Sequence, residues 1–506
     1  MSDAMRYPLE PGPEQVRQMG EAVLAFAEEY LRDLPELPAF DPIGGEELAG
    51  ALREPAPELG SPLPGLLSTL HAAARVGATS AGPGYLAYVP GGGLYAAALA
   101  DFLAAVMNKY VSVWQLAPAC AQIEATAVRW LCDLFGYPAQ ARGILTSGGS
   151  MANFSAIVTA RNARLGESFL DGTVYVTGQT HASCAKAALL AGVPRAHVRA
   201  VPTGRDLAMD PAALQRMIEE DRRAGLRPFL VIGSAGTTNT GAVDPLTELA
   251  AVAGRAGAWF HVDAAYGGPF QLTERGRARL RGIELADSIT MDPHKALFLP
   301  YGIGALLVRD GALLRQAHHM DAAYLQDLSE EEEIPNFSEY SPELTRDFRG
   351  LRLWLPIKLH GLGAFRRALD EKLDLAELVY ERLREQGFEV PWRPSLTAVA
   401  FRWAPGDGNG DGDGNGDGNG DGDGADADAF NAELLRRVTA RGRALLSSTR
   451  IDGRYMIRVC VVSHRTHRDR VEQLLDIIGE SCAELRAERA AAPGPGRTAG
   501  GAPGRA

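Results

Sequence analysis

Short apolar segments recurring between amphipathic ones constrain this 506-residue chain more than any other feature. Ile144–Thr146, Thr173–Thr177, Phe229–Ile232, Trp259–Val262, Asp287–Met291 and Ala305–Val308 each read as a strand, most of them too apolar to have a wet face. Helical patterns lie between them. Ile123, Ala127, Leu131 and Leu134 form one apolar stripe, a helix is expected from Ser150, and a small-residue helix near 182–191. Asp210-Pro211 and Asp244-Pro245 each read as a capping carboxylate before a proline at the first helical position. This alternation predicts an α/β fold with a mostly parallel sheet covered on both faces. Ligands of such sheets bind beyond the carboxyl ends of the strands, so chemistry is expected in the turns that follow them.

The pattern changes after about residue 370. A helix over about 367–387, strands at Ala398–Arg402 and Tyr455–Val462, a helix near 430–442 and a last helix over about 467–487 predict a smaller α+β unit. Helices near 13–33 and 61–77 come without strands of their own, so they are expected to wrap another part of the protein or a second subunit. Residues 405–428 alternate Gly, Asp and Asn and have nothing to bury. No glutamate closes a calcium loop there, so a flexible acidic insertion is expected. The resulting division is a helical extension over 1–80, a large domain over 81–370, a small domain over 371–487 and a disordered Gly/Pro/Ala-rich tail over 488–506.

Charge narrows the partners. Lysine and arginine number 51 against 63 aspartates and glutamates, a net charge of −12 that disfavours a nucleic-acid backbone. No apolar run reaches the roughly 20 residues needed to span a bilayer, and Met1–Pro8 lacks an apolar signal core, so a cytoplasmic protein is expected. The five cysteines are widely spaced with no CxxC pair, which suggests reduced thiols and no metal site.

Five turn motifs carry chemical groups. Asp292-Pro293-His294-Lys295 follows a strand, where an apolar neighbourhood would make Lys295 a usable amine nucleophile. His261-Val262-Asp263-Ala264-Ala265-Tyr266 puts Asp263 at the end of a buried strand, a costly place for a carboxylate without a cationic partner. Thr146–Asn153 runs from strand through a glycine turn into a helix, and Gly149 and Ser150 at that helix start suit a phosphate. Gln179–Ser183 places His181 at a strand-to-helix turn, where a histidine is most often a cap. Gly236–Gly241 is a polar turn containing Thr238. An amine, an acid, a phosphate seat and a ring cover together match the needs of pyridoxal 5'-phosphate (PLP).

In this order the motifs resemble the group II PLP-dependent amino-acid decarboxylases, a family that includes aromatic-L-amino-acid, histidine, glutamate and diaminobutyrate decarboxylases. The resemblance runs from about residue 5 to 480 and includes Tyr7–Pro11 and Ala117–Glu124. It implies PLP fold type I, with a large α/β domain, a smaller C-terminal domain, an N-terminal extension and a homodimer. It also implies roles: Lys295 bonded to PLP, Asp263 on the pyridinium nitrogen, His181 and Ala265 on the ring faces, Thr238 and His294 close to the cofactor, and Gly149 and Ser150 at the phosphate. In the family a loop tyrosine returns the proton. Tyr340 matches best, with Tyr324 as the alternative, in a region that also holds the acidic run Ser329–Ile334. Tyr85, Leu86, Tyr88 and Trp114 fall in segments that form the family's side-chain pocket, and Arg458 is a candidate for a substrate carboxylate or an ordinary salt bridge. The expected activity is decarboxylation of an aromatic amino acid, ahead of an acidic or diamino substrate. The alternatives are an aldehyde synthase, an aminotransferase or a non-catalytic binding module.

Overall fold

In the computed structural model, which describes residues 9–320, 336–404 and 421–491, the six short apolar segments form one seven-stranded sheet together with Val198–Val201, a strand the sequence did not single out. Its strands are β1 (Arg142–Thr146), β2 (Gly172–Thr177), β3 (Val198–Val201), β4 (Arg227–Ser234), β5 (Trp259–Asp263), β6 (Ser288–Met291) and β7 (Gly304–Val308). They lie in the order β1-β7-β6-β5-β4-β2-β3. All neighbouring pairs are parallel except those of β7, which runs antiparallel between β1 and β6.

Alternation along the central strands shows how the sheet is sandwiched. Val231, Phe260 and Val262 enter one apolar cluster, with Leu249, Phe270 and Phe365. Leu230, Ile232 and Trp259 enter the other, with Ala152 and Ala156 of helix Gly149–Leu165 and Ala187 of helix Ala182–Leu190. The second face, with those two helices on it, is the one that matters for chemistry.

The two Asp-Pro pairs behave differently. Asp210 caps helix Pro211–Arg223, accepting the Ala212 N–H at 2.8 Å. Asp244 is not a cap. Helix Leu246–Arg255 starts beyond it, and the buried Asp244 carboxylate accepts the N–H groups of Met209 and Ser234, each at 2.7 Å. Burial outweighs those bonds and pushes its carboxyl up to about 6.

The C-terminal unit is an antiparallel sheet of β8 (Ala398–Phe401), β9 (Ser447–Ile451) and β10 (Arg454–Cys460), with β10 in the middle. Helices Asp421–Ala440 and Arg468–Ala491 flank it. The long helical segment Arg349–Glu385 starts well before the expected 367 and bends at Gly361, whose φ of 71° suits glycine. At the N-terminus, helices Pro13–Asp33 and Leu63–Ala74 are joined by an unanticipated strand pair, Phe40–Asp41 with Gly77–Ala78. No helix among the described residues is long and apolar enough to cross a membrane. Tyr7-Pro8, Tyr324, Ser329–Ile334, residues 405–420 of the insertion and the tail beyond 491 lie outside the described residues.

Candidate active site

A cavity of about 370 Å³ opens at the carboxyl ends of the central strands. Gly149, Ser150, His181, Thr238, Asp263, Ala265, His294 and Lys295 all line it, so the eight residues given cofactor roles from the sequence meet in one place. They arrive from the turns after β1, β2, β4, β5 and β6, since parallel strands deliver their exits to the same edge.

The turn after β1 leads into helix Gly149–Leu165, whose first turn no side chain caps. Gly148, with φ 155° and ψ 173°, makes that turn in a conformation suited to glycine. The backbone is packed closely there: a Cβ at Gly304 would lie 2.5 Å from the Gly148 carbonyl carbon. Uncapped amides at the start of a 17-residue helix form a seat for an anion.

Asp263 ends β5 and is 8% exposed. Its Oδ1 accepts the Ala265 N–H at 3.1 Å, and its Oδ2 accepts Asn153 Nδ2 at 3.1 Å and Cys184 Sγ at 3.4 Å. Burial and the Asp263 charge together push the Cys184 thiol well up, so it stays a neutral donor. Asp263 has no ion-pair partner among the described residues. A buried carboxylate facing a cavity and lacking a cation is the site a protonated ring nitrogen would satisfy, so the donor set fits PLP.

Lys295 Nζ lies 3.1 Å from Asp292 Oδ2, within the turn after β6. The other Asp292 oxygen is buried and makes no hydrogen bond. His294 Nδ1 donates to the Ile303 carbonyl at 2.5 Å, and burial pushes its imidazole down, towards the neutral form. His181 combines two readings of a turn histidine: it caps helix Ala182–Leu190, with Nδ1 accepting the Ser183 N–H at 3.3 Å, and its ring also borders the cavity.

Other sequence candidates fall elsewhere. Tyr340 does not line the cavity; it is buried in the cluster that contains Phe337, Ile144 and Ala121. Leu86 is core of the C-terminal unit, and Trp114 packs beside the Tyr340 cluster. Neither faces the cavity. Tyr88 is 63% exposed at a φ of 56°. Arg458 meets neither a substrate-facing space nor a carboxylate among the described residues. Its guanidinium is buried and donates to the carbonyls of Asn239 (2.8 Å), Thr238 and Tyr88, and to Ser447 Oγ (3.1 Å).

Sequence reasoning assigned no role to Asn153, Asp292 or Ser183, all of which line the cavity. A period-two signal was available for the residues behind them. Trp259, His261 and Asp263 share one face of β5, and His261 pairs in register with Ser288 of β6.

A family model described as the pyridoxal-dependent decarboxylase conserved domain matches residues 49–404. An aromatic-L-amino-acid decarboxylase of Bacillus atrophaeus is 36% identical over 471 residues, covering 92% of this chain and 95% of its own. Tryptophan decarboxylase 1 of Oryza sativa subsp. japonica is 30% identical over 495 residues, covering 93% and 94%. The crystal structure of Oryza sativa TDC with PLP and tryptamine superposes with a TM-score of 0.87 at 29% identity, covering 94% of this chain and 99% of that one.

Proposed function

The chain belongs to the pyridoxal-dependent decarboxylases, and from that premise we propose that it converts an aromatic L-amino acid to its amine and CO2. The α-carboxyl leaves as CO2 and one proton takes its place on Cα. The reading is carried by Asp263, a buried carboxylate without a cationic partner, lining the same cavity as the Lys295 amine. The aromatic substrate class is supported by the relatives, which include an aromatic-L-amino-acid and a tryptophan decarboxylase.

PLP, when bound, supplies an electron-poor ring that takes up the electron pair released with CO2. The residues of the chain would hold and orient it. Lys295 Nζ would provide the amine for its aldehyde, and the first-turn amides at Gly149 and Ser150 would hold its phosphate. Asp263 would keep a proton on its ring nitrogen, and His181, Ala265, Thr238 and His294 would bound the space for the ring. The Tyr340 phenol lies in another cluster, which leaves Tyr324, outside the described residues, as the candidate for the loop-tyrosine role of the family.

We also propose a homodimer. Helix Pro13–Asp33 has no buried residue, and Leu66, Leu70, Phe102 and Val106 are exposed on two further helices. Apolar surface of that extent marks an association face. The division into a helical extension, a large domain and a small domain is kept as part of this reading, corrected at two places where helices Asp421–Ala440 and Arg468–Ala491 occupy residues expected to be unstructured; a cytoplasmic setting is kept as well, which suits five unpaired cysteines.

The test is to incubate the purified yellow holo-protein with individual amino acids and identify products by mass. Amine and CO2 from aromatic substrates support the proposal; an aldehyde with ammonia and peroxide replaces it with the synthase reading. Borohydride treatment should fix the chromophore to the peptide bearing Lys295, and a chromophore fixed elsewhere removes the assignment of that lysine.

A further inference from the structure

Behind Asp263 a chain of buried polar groups crosses the sheet face. Trp259 Nε1 donates to Ser288 Oγ at 2.8 Å. Ser288 Oγ lies 2.8 Å from His261 Nδ1, His261 Nε2 lies 3.0 Å from Asn153 Oδ1, and Asn153 Nδ2 donates to Asp263 Oδ2 at 3.1 Å. Trp259, Ser288, His261 and Asn153 are all buried to 1% exposure or less. Solvent therefore cannot substitute for a misdirected donor, and each group's role matters.

Both ends have only one role available. The indole N–H can donate and never accept, and a carboxylate can accept and never donate. From the Asp263 end, Asn153 must present its NH2 group, which leaves its carbonyl facing His261. That carbonyl requires a proton on His261 Nε2. Burial pushes the His261 imidazole down, so the ring is neutral and carries that single proton, leaving Nδ1 bare. A bare Nδ1 takes the Ser288 hydroxyl proton, and the Ser288 oxygen is then free to accept from Trp259. Reasoning from the Trp259 end gives a compatible assignment. Reversing any single link would set two donors or two acceptors face to face.

We propose that Trp259, Ser288, His261 and Asn153 form a one-way relay that locks the Asn153 amide as a donor to Asp263, making Asn153 the positioning residue that holds the Asp263 carboxylate towards the cofactor ring nitrogen. The proposal rests on the decarboxylase reading. The strands supply most of the parts by simple alternation: residues 259, 261 and 263 share a face, and 288 is the register partner of 261. Asn153 comes from the first turns of the helix whose start forms the phosphate seat. The same helix thus sets both the anion seat and the orientation of the acid.

The experiment uses the full-length holo-protein reconstituted with PLP carrying 15N in its ring, and compares wild type with Asn153→Ala and Ser288→Ala. Three quantities are read: the PLP dissociation constant, the ring 15N resonance and the thermal midpoint. Asn153→Ala should weaken PLP binding on the order of 10-fold or more, as expected for losing a buried bond to a charged group. It should also move the ring resonance towards the unprotonated position. Ser288→Ala, a change outside the cavity lining, should move the resonance in the same direction by a smaller amount, and it decides the matter if Asn153→Ala does not fold. A purely structural role would lower the midpoint and leave the resonance of the bound cofactor at its wild-type position, and that result overturns the relay. Failure of the wild type to retain PLP would sink the decarboxylase reading instead, so the two failures are distinguishable.

Discussion

Tyr340 and Lys295 line different cavities. Lys295 opens onto the cleft at the strand ends, whereas Tyr340 sits with Phe337 beside Gln122, Arg129 and Arg142 in a separate pocket of about 150 Å³. Tyr340→Phe should therefore keep the amine as product and hold kcat within about 3-fold of wild type, at a stability cost of no more than about 1 kcal/mol. Tyr324→Phe should lower amine formation and raise aldehyde, measured by product mass. If Tyr340→Phe is the variant that switches product, its placement in the core does not describe the working enzyme.

Glu124 and Arg346 are both fully withdrawn from water and lie 2.5 Å apart. Glu124 also accepts the Gly350 N–H at 2.8 Å, and Arg346 donates to the Leu145 carbonyl at 2.7 Å, so the pair ties the start of helix Arg349–Glu385 to β1. Glu124→Ala leaves a buried guanidinium without its partner and should cost about 3–5 kcal/mol, read from urea unfolding. A loss under about 1 kcal/mol would mean that water reaches the pair.

His464 packs against Phe298, with ring centroids 5.6 Å apart and Nδ1 lacking a hydrogen bond, and burial pushes its imidazole down to about 3. The unfolded histidine titrates near ~6.5. Between those values the unfolded chain binds a proton that the folded chain refuses. The stability contributed by this residue is therefore complete above ~6.5 and lost as pH falls. His464→Phe should flatten the decline of the thermal midpoint between pH 7 and 5; an unchanged slope refutes this.

Excision of residues 406–420 should leave cofactor content and turnover unchanged. The flanks of the insertion are fastened independently: Trp403 stacks on Phe430 with centroids 4.2 Å apart, and Asn431 bonds both the N–H and the carbonyl of Trp403 at 2.8 Å. A shortened chain that loses its yellow colour would give the insertion a structural task.

Deletion of residues 1–60 should produce aggregated or monomeric inactive protein, detected by light scattering during size exclusion. A soluble, active monomer would contradict the association face proposed for helix Pro13–Asp33.

Much of the site was legible because its groups sit immediately after strands, where local pattern and chemistry coincide. Lys295, Asp263 and Gly149 are each one turn or less from an apolar segment that announces itself. Contacts between distant segments were not legible. Asn153 and His261 are 108 residues apart, and nothing local to either marks the bond between them. Tyr340 carries no periodic signal, so its burial is decided by packing. Asp210-Pro211 and Asp244-Pro245 look alike as sequence, and only the loop crossing at Met209 separates a cap from a buried brace. Strands β3, Val-Arg-Ala-Val, and β9, Ser-Ser-Thr-Arg-Ile, lack the apolar run that identified the others.

Arg458 bears on how substrate enters. One guanidinium gathers oxygens from the 238–239 turn of the large unit, from Tyr88 and from Ser447 of the C-terminal sheet. Rotating one unit away from the other would break those bonds together. Hinged gaping is thus a costly way to admit an amino acid, and the mouth of the cleft stays framed by two units riveted together through one side chain.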